Sequence, residues 1–190
     1  MTLFNFNTIR LLERLANFAI LLGIIGVLLM ALFFQFFEHE LPCPLCLLQR
    51  VGFVCMTFGL LLNIRFGCRP SHYAMILLSG LFTSFVALRQ IALHIIPGTG
   101  TYGEAFLGYH LYTWSFIFAI AIVIFVAMIL GIDRQYFTDN ALSRSWKAFF
   151  NLVIFLVAFT VMVNVIVVFL QCGIDACDDN PTHYKMLSKI

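Results

Sequence analysis

The 190-residue chain is 62% hydrophobic and only 11% charged, against roughly a quarter charged residues in an ordinary soluble domain. That balance excludes a water-soluble globular domain and a disordered chain, and a formal net charge of +2 gives no electrostatic footing for nucleic acid. With 22 Phe and a mean hydropathy of +1.00, the sequence predicts an all-α integral membrane protein, with one transmembrane domain over residues 1–190.

Crossing a bilayer takes about 20 mostly apolar residues in a helix. Five stretches qualify: Leu15–Phe37, Leu45–Ile64, Tyr73–Ile96, Thr113–Ile132 and Phe149–Leu170. The first is too long for a secretory signal and is followed by further spans, so it is read as retained. Arg10 and Arg14 precede the first span, Arg65 and Arg69 follow the second, and Arg134, Arg144 and Lys147 lie between the fourth and fifth. Positive charge in short connections stays inside. The N-terminus is therefore expected in the cytoplasm and the tail, residues 171–190, on the periplasmic side of a bacterial inner membrane. Glu38, Glu40, Glu104, Asp175, Asp178 and Asp179 share that outer side with Lys185 and Lys189. Trp114, Tyr109 and Tyr112 suit the outer interface and Trp146 the inner one. Gly98-Thr-Gly100-Thr-Tyr-Gly103 spells a nucleotide motif, but it follows an apolar helix rather than a strand and reads as a loop after Pro97.

This topology sorts the six cysteines. Cys43, Cys46, Cys172 and Cys177 fall at the outer side, where disulfides persist. Cys55 lies inside the second span and is expected to be a small core residue, and Cys68 a reduced thiol in the cytoplasmic turn. Within Leu41-Pro-Cys43-Pro-Leu-Cys46-Leu-Leu-Gln49-Arg50, a Cys-x-x-Cys pair opens a helix. Backbone N–H groups and the positive dipole end there favour the thiolate. Arg50 sits one turn deeper, about 6 Å along the axis. It is placed to hold a thiolate at Cys46 or to polarise a carbonyl bound beside it. The alternative is an arginine reaching up to the headgroups beneath an ordinary disulfide.

Arg89, Gln90 and His94 follow on the third helix at a similar depth. Arg89 and His94 are candidates to hydrogen-bond the head group of a membrane-dissolved cofactor such as a quinone. Otherwise Arg89 pairs with a carboxylate or a backbone carbonyl and His94 is interfacial trim. Cys172-Gly-Ile-Asp-Ala-Cys177 closes a short loop after the last span. Neighbouring aspartates and the negative helix end disfavour a thiolate, which suits an oxidised pair open to attack, or simply a disulfide that braces the tail.

At Pro42-Cys43-Pro44-Leu45-Cys46 with Gln49-Arg50, followed by Ala87-Leu88-Arg89-Gln90, the chain resembles the disulfide bond formation protein B (DsbB) family over residues 15–135. The resemblance implies a four-helix transmembrane bundle, here extended by a fifth helix. It implies oxidation of a periplasmic thioredoxin-fold thiol oxidase of the DsbA kind, with electrons passed to ubiquinone or menaquinone. By the same likeness Cys46 contacts the quinone, Cys43 exchanges with the second cysteine pair and Arg50 stabilises the thiolate. Gln49, Arg89 and His94 complete the expected cofactor set, and no resident metal is implied. In the family the second pair lies between helices three and four. Here Pro97–Tyr112 holds no cysteine, so a relay relocated to Cys172 and Cys177 is expected, with Cys177 taking the partner and Cys172 nearer Cys43. Three other readings stand beside this one. One is an enzyme like vitamin K epoxide reductase, although its cysteine pairs come in the opposite order. Another is a zinc site built on the four outer sulfurs with His39 or His183, and the third is a membrane scaffold with incidental disulfides.

Overall fold

A computed structural model of the chain describes residues 6–38, 40–96, 98, 100, 105–131 and 144–187. Among these residues, five helices are long and apolar enough to cross a membrane. They are α1 (Phe6–Phe37), α2 (Pro44–Phe66), α3 (Pro70–His94), α4 (Leu111–Leu130) and α5 (Arg144–Cys172). A two-residue hairpin, β1 (Ala105–Phe106) with β2 (Tyr109–His110), precedes α4 and pairs Ala105 with His110. Its turn, Leu107-Gly108, takes positive φ at both positions, 51° and 84°, as a tight hairpin turn requires. The stretch expected to be a plain loop thus ends in a small β ladder. Of the residues used above to orient the chain, the side chains of Arg10, Glu104, Arg134, Arg144, Trp146, Lys147 and Lys189 lie outside the described residues, as do His39 and Gly103.

Local chemistry sets the helix boundaries. Pro44 and Pro70 open α2 and α3, where a missing N–H costs nothing. α3 stops at His94 rather than Ile96, because the residue before Pro97 is pushed out of helical geometry. Gly67, at φ 88°, ends α2.

Helices α2 and α3 approach closely through glycine. A Cβ on Gly59 would lie 2.8 Å from the His72 carbonyl oxygen and 2.6 Å from Ile76 Cγ1, and one on Gly52 would collide with Thr83 Oγ1. Gly80 performs the same service for α4, against Val123 and the Ala119 backbone. α1 and α5 instead meet along apolar seams. Phe18, Leu21, Ile25, Leu28, Leu32 and Gln35 are buried on α1, and Phe150, Val153, Val157, Thr160, Asn164, Val167 and Gln171 on α5. Alternating steps of three and four are the spacing of supercoiled helices. Phe18 packs on Phe149 at one end, 5.2 Å between centroids, and Gln35 bonds Gln171 at the other, so the two helices run parallel.

Each end of the bundle carries its own polar cluster. At the end bearing Arg14, Arg65 and Arg69, Asn63 Nδ2 donates to Asn17 Oδ1 (3.1 Å) and Asn17 Nδ2 to Tyr73 Oη (3.3 Å). Tyr73 in turn donates to Glu13 Oε1 (2.8 Å). His72 Nδ1 lies 3.2 Å from Asn63 Oδ1. Cys68 is buried beside Asn17, and burial pushes its thiol up from 9.0 to about 12. Cys55 was expected in the core but is exposed. The buried face of α2 runs through Phe53, Met56 and Leu60, and position 55 points away from it.

Two outcomes test this packing. Gly59→Ala should destabilise the protein by ~1–3 kcal/mol through overpacking. Gly26→Ala, whose Cβ meets nothing within 4 Å, should cost nothing measurable in the same detergent unfolding assay. For Cys68 the folded-state pKa is raised, so its stability contribution is complete below pH 9.0 and drains away towards about pH 12. The melting temperature should fall across that window, and Cys68→Ala should remove part of the fall.

Candidate active site

The opposite end of the bundle gathers four of the six cysteines. Cys43 caps α2, its sulfur accepting the Cys46 backbone N–H at 3.2 Å. The two sulfurs of the Cys-x-x-Cys pair lie 2.7 Å apart, the proximity that three residues of helix start impose. Gln90, fully buried on α3, donates its Nε2 to both sulfurs at 3.3 Å and accepts Gln49 Nε2 through Oε1 at 2.6 Å. One amide thus spans the pair. The hydrogen bond to the Cys46 sulfur, and after it burial, holds the Cys43 thiol above the usual thiol range.

Arg50 is buried one turn below Cys46. Its Nη1 donates to Gln35 Oε1 at 2.8 Å and its Nη2 to the Ala31 carbonyl at 3.1 Å, both on α1. Cys46, Gln49, Arg50, Tyr112 and Ser115 line a cavity of about 90 Å³. Beside it runs a far more apolar cleft of about 480 Å³ between α1 and α4, lined by Gly23, Met30, Phe118 and the hairpin residues Phe106 and Leu107. The two spaces share Val27, Ala31, Phe34, Leu111 and Ser115. Trp114 fixes the hairpin over the cleft by donating Nε1 to the Phe106 carbonyl at 2.9 Å.

Cys172 and Cys177 are joined in a disulfide, with Cα atoms 4.7 Å apart. Cys172 is buried, Cys177 is half-buried and Ile174, at the loop tip, is 95% exposed. The tail then folds back on α5. Lys185 N donates to the Gln171 carbonyl (3.2 Å) and Met186 N to that of Leu170 (3.1 Å), pairing carbonyls that a helix end leaves orphaned. Lys185 Nζ also meets Asp178 at 2.9 Å. Gln171, next to Cys172, donates Nε2 to the carbonyl of Pro42, next to Cys43, at 2.7 Å. The two cysteine pairs are neighbours across 129 residues of sequence.

Cys43, Cys46, Gln49, Arg50, Cys172 and Cys177 therefore share one end of the bundle. Arg89 and His94 do not join the cavity lining. Consecutive residues on a helix point about 100° apart, and since Gln90 faces the sulfurs, Arg89 points outward and is exposed. His94 bonds the Gly100 carbonyl at 2.9 Å and packs near Tyr112. Sequence reasoning gave no role to Gln35, Gln90 or Gln171. Their signal was faint: three amides in otherwise apolar spans. Cys172 and Cys177, bonded to each other, are not free to ligate zinc, and among the described residues no cluster of metal-binding side chains forms.

Residues 13–104 match the family model for disulfide bond formation protein DsbB. Over 76 residues the chain is also 38% identical to disulfide bond formation protein B of Ralstonia nicotianae, an alignment covering 40% of this chain and 46% of that protein. Residues 13–104 belong to the DsbB family. With five apolar helices, the chain is a multi-pass membrane protein. No solved structure matches it. The DsbB match takes in most of α1 and the whole of α2 and α3, with Cys43, Cys46, Gln49, Arg50 and Gln90. It stops short of residue 135, where the resemblance in sequence was expected to end, and leaves α4, α5 and the Cys172–Cys177 loop outside.

The face assignment on α3 has a direct check. Gln90→Leu should cost ~1–3 kcal/mol in thermal unfolding, because it strands Gln49 Nε2 in a buried site. Arg89→Leu should stay within ~0.5 kcal/mol of the parent. Equal costs would contradict the placement.

Proposed function

We propose that the chain is a thiol–disulfide oxidoreductase of the bacterial inner membrane. In this reading it oxidises a periplasmic thioredoxin-fold dithiol protein of the DsbA kind and passes the electrons to a membrane quinone. The observation that carries it is the Gln171–Pro42 hydrogen bond, which seats a tail disulfide beside a Cys-x-x-Cys pair that itself borders a cavity holding a buried arginine. The periplasmic placement is supported by Arg14, Arg65 and Arg69 at the far end of the bundle.

Each exchange is an attack of thiolate on a disulfide sulfur. A partner thiolate attacks Cys177, the more exposed member of the tail pair, and Cys172 leaves as thiolate. The second partner thiol then closes the partner's own disulfide, releasing Cys177. Cys172 next attacks Cys43, and Cys46 leaves as the thiolate. Cys177 resolves the Cys43–Cys172 bond and restores the tail disulfide. Two electrons have now moved from the partner to the Cys43–Cys46 pair. Gln90 holds both sulfurs through one amide, and Arg50 lies beside the developing charge on Cys46.

The cavity and cleft suit a quinone chemically. Gln49 and Arg50 offer hydrogen-bond donors to ring carbonyls, and the adjoining apolar cleft, open between α1 and α4, accommodates a hydrocarbon tail. A quinone bound there supplies the terminal acceptor for two electrons and two protons, allowing Cys43 and Cys46 to return to the disulfide. Tyr112 lines the cavity, and the hairpin residues Phe106 and Leu107 line the adjoining cleft.

The test uses the full chain in lipid nanodiscs with a reduced thioredoxin-fold protein and a short-chain ubiquinone. Quinone absorbance should fall in step with partner thiols, one quinone for two thiols. Cys46→Ser should abolish quinone reduction, and Cys177→Ser, which removes the resolving thiol, should accumulate a Cys43–Cys172 disulfide in non-reducing peptide maps. Undiminished turnover in Cys46→Ser, or in a Cys172→Ser/Cys177→Ser double variant, would sink the proposal.

A further inference from the structure

Gln35, buried on α1, has bonds running in three directions. Its Oε1 accepts Arg50 Nη1 at 2.8 Å. Its Nε2 faces Gln171 Oε1 at 3.4 Å and Tyr184 Oη at 3.2 Å. The first group lies on α2 at the cavity. The second sits on α5 beside Cys172, and the third belongs to the tail that folds back after the disulfide loop. Gln171 spends its own amide donor on the Pro42 carbonyl. An amide has one acceptor end and one donor end in fixed relation. Rotating Gln35 to serve the tail differently therefore moves the oxygen that holds the guanidinium.

We infer that Gln35 is a positioning residue through which the seated tail, by way of Gln171 and Tyr184, sets the Arg50 guanidinium at the cavity. The inference rests on the proposed quinone reading and adds a linkage to it. Docking the disulfide loop beside Cys43 and orienting the arginine beside Cys46 become one event. With the end of α5 and its tail undocked, Gln35 loses both Gln171 and Tyr184 and is free to turn away from Arg50. The cavity is then a poorer host for a ring carbonyl until the tail returns. Tyr184 is not part of the cavity lining, and its hydrogen-bonded route to Arg50 runs through Gln35.

Two measurements on the full chain in nanodiscs test the linkage. The first is a double-mutant cycle in unfolding between Tyr184→Phe and Arg50→Lys, repeated in a Gln35→Leu background. The unfolding constants should depart from simple multiplication by more than about threefold, and the departure should vanish with Gln35→Leu. The second is the affinity of the oxidised protein for a short-chain ubiquinone. It should weaken about fivefold, the worth of one hydrogen bond, in Tyr184→Phe and in Gln171→Leu, with the Cys172–Cys177 disulfide still intact by mass spectrometry. A tail that merely braces α5 would give a multiplicative cycle and an unchanged affinity, and either result overturns the inference. Absence of quinone binding by the unsubstituted protein would instead refute the reading of the cavity, while the cycle still decides the linkage.

Discussion

A guanidinium buried among apolar helices must find its hydrogen bonds inside the protein, and the arrangement around Arg50 follows from that need. A charge at such depth is expensive, and in membrane proteins it marks sites of function. The oxygens of Gln35 and Ala31 solvate it from α1. Both are neutral, so they hold the charge without cancelling it. The positive field remains available to whatever stands on the other side, and Cys46 and the cavity stand there. A partner carboxylate in place of Gln35 would have satisfied the same donors and extinguished that field.

How far the sequence discloses this site depends on what kind of signal each residue carries. The spans declare themselves by length and hydropathy, and the Cys-x-x-Cys pair with Arg50 by spacing and by the rarity of charge in an apolar run. Arg89 carries the same rarity and points outward, whereas its neighbour Gln90 bridges the sulfurs. Composition cannot separate the two, because the difference is one step of about 100° around a helix, and α3 is apolar on most sides. Its rotation is fixed by close packing at Gly52, Gly59 and Gly80. Cys55 was misplaced for the same reason. The adjacency of the two cysteine pairs, in turn, depends on the parallel pairing of α1 with α5, and no local pattern in either helix names its partner.

The extent of the family match bears on how such a chain is put together. Everything bonded directly to the Cys43 and Cys46 sulfurs lies within residues 13–104, whereas the tail disulfide lies outside. Beside the tail disulfide the join between the two parts is polar: Gln171 to Pro42, Gln35 to Gln171, and Gln35 to Tyr184. Amide bonds of this kind are directional, so they set register as an apolar seam alone does not. Gln171 has one place from which it reaches the Pro42 carbonyl.

The two ends of the bundle are held by different contacts. At the arginine-rich end, Glu13, Asn17, Asn63, His72 and Tyr73 tie three helices together, with Phe18 packed on Phe149 of α5 beside them. At the cysteine end, α5 is held by a few amide bonds and a fold-back of its own tail. In the proposed exchange the attacking sulfur approaches along the bond it breaks, so Cys172 would shift relative to Cys43 and then withdraw. The cavity walls come from α1, α2 and α4, so α5 bears on them through Gln35 of α1 and through the Pro42 carbonyl.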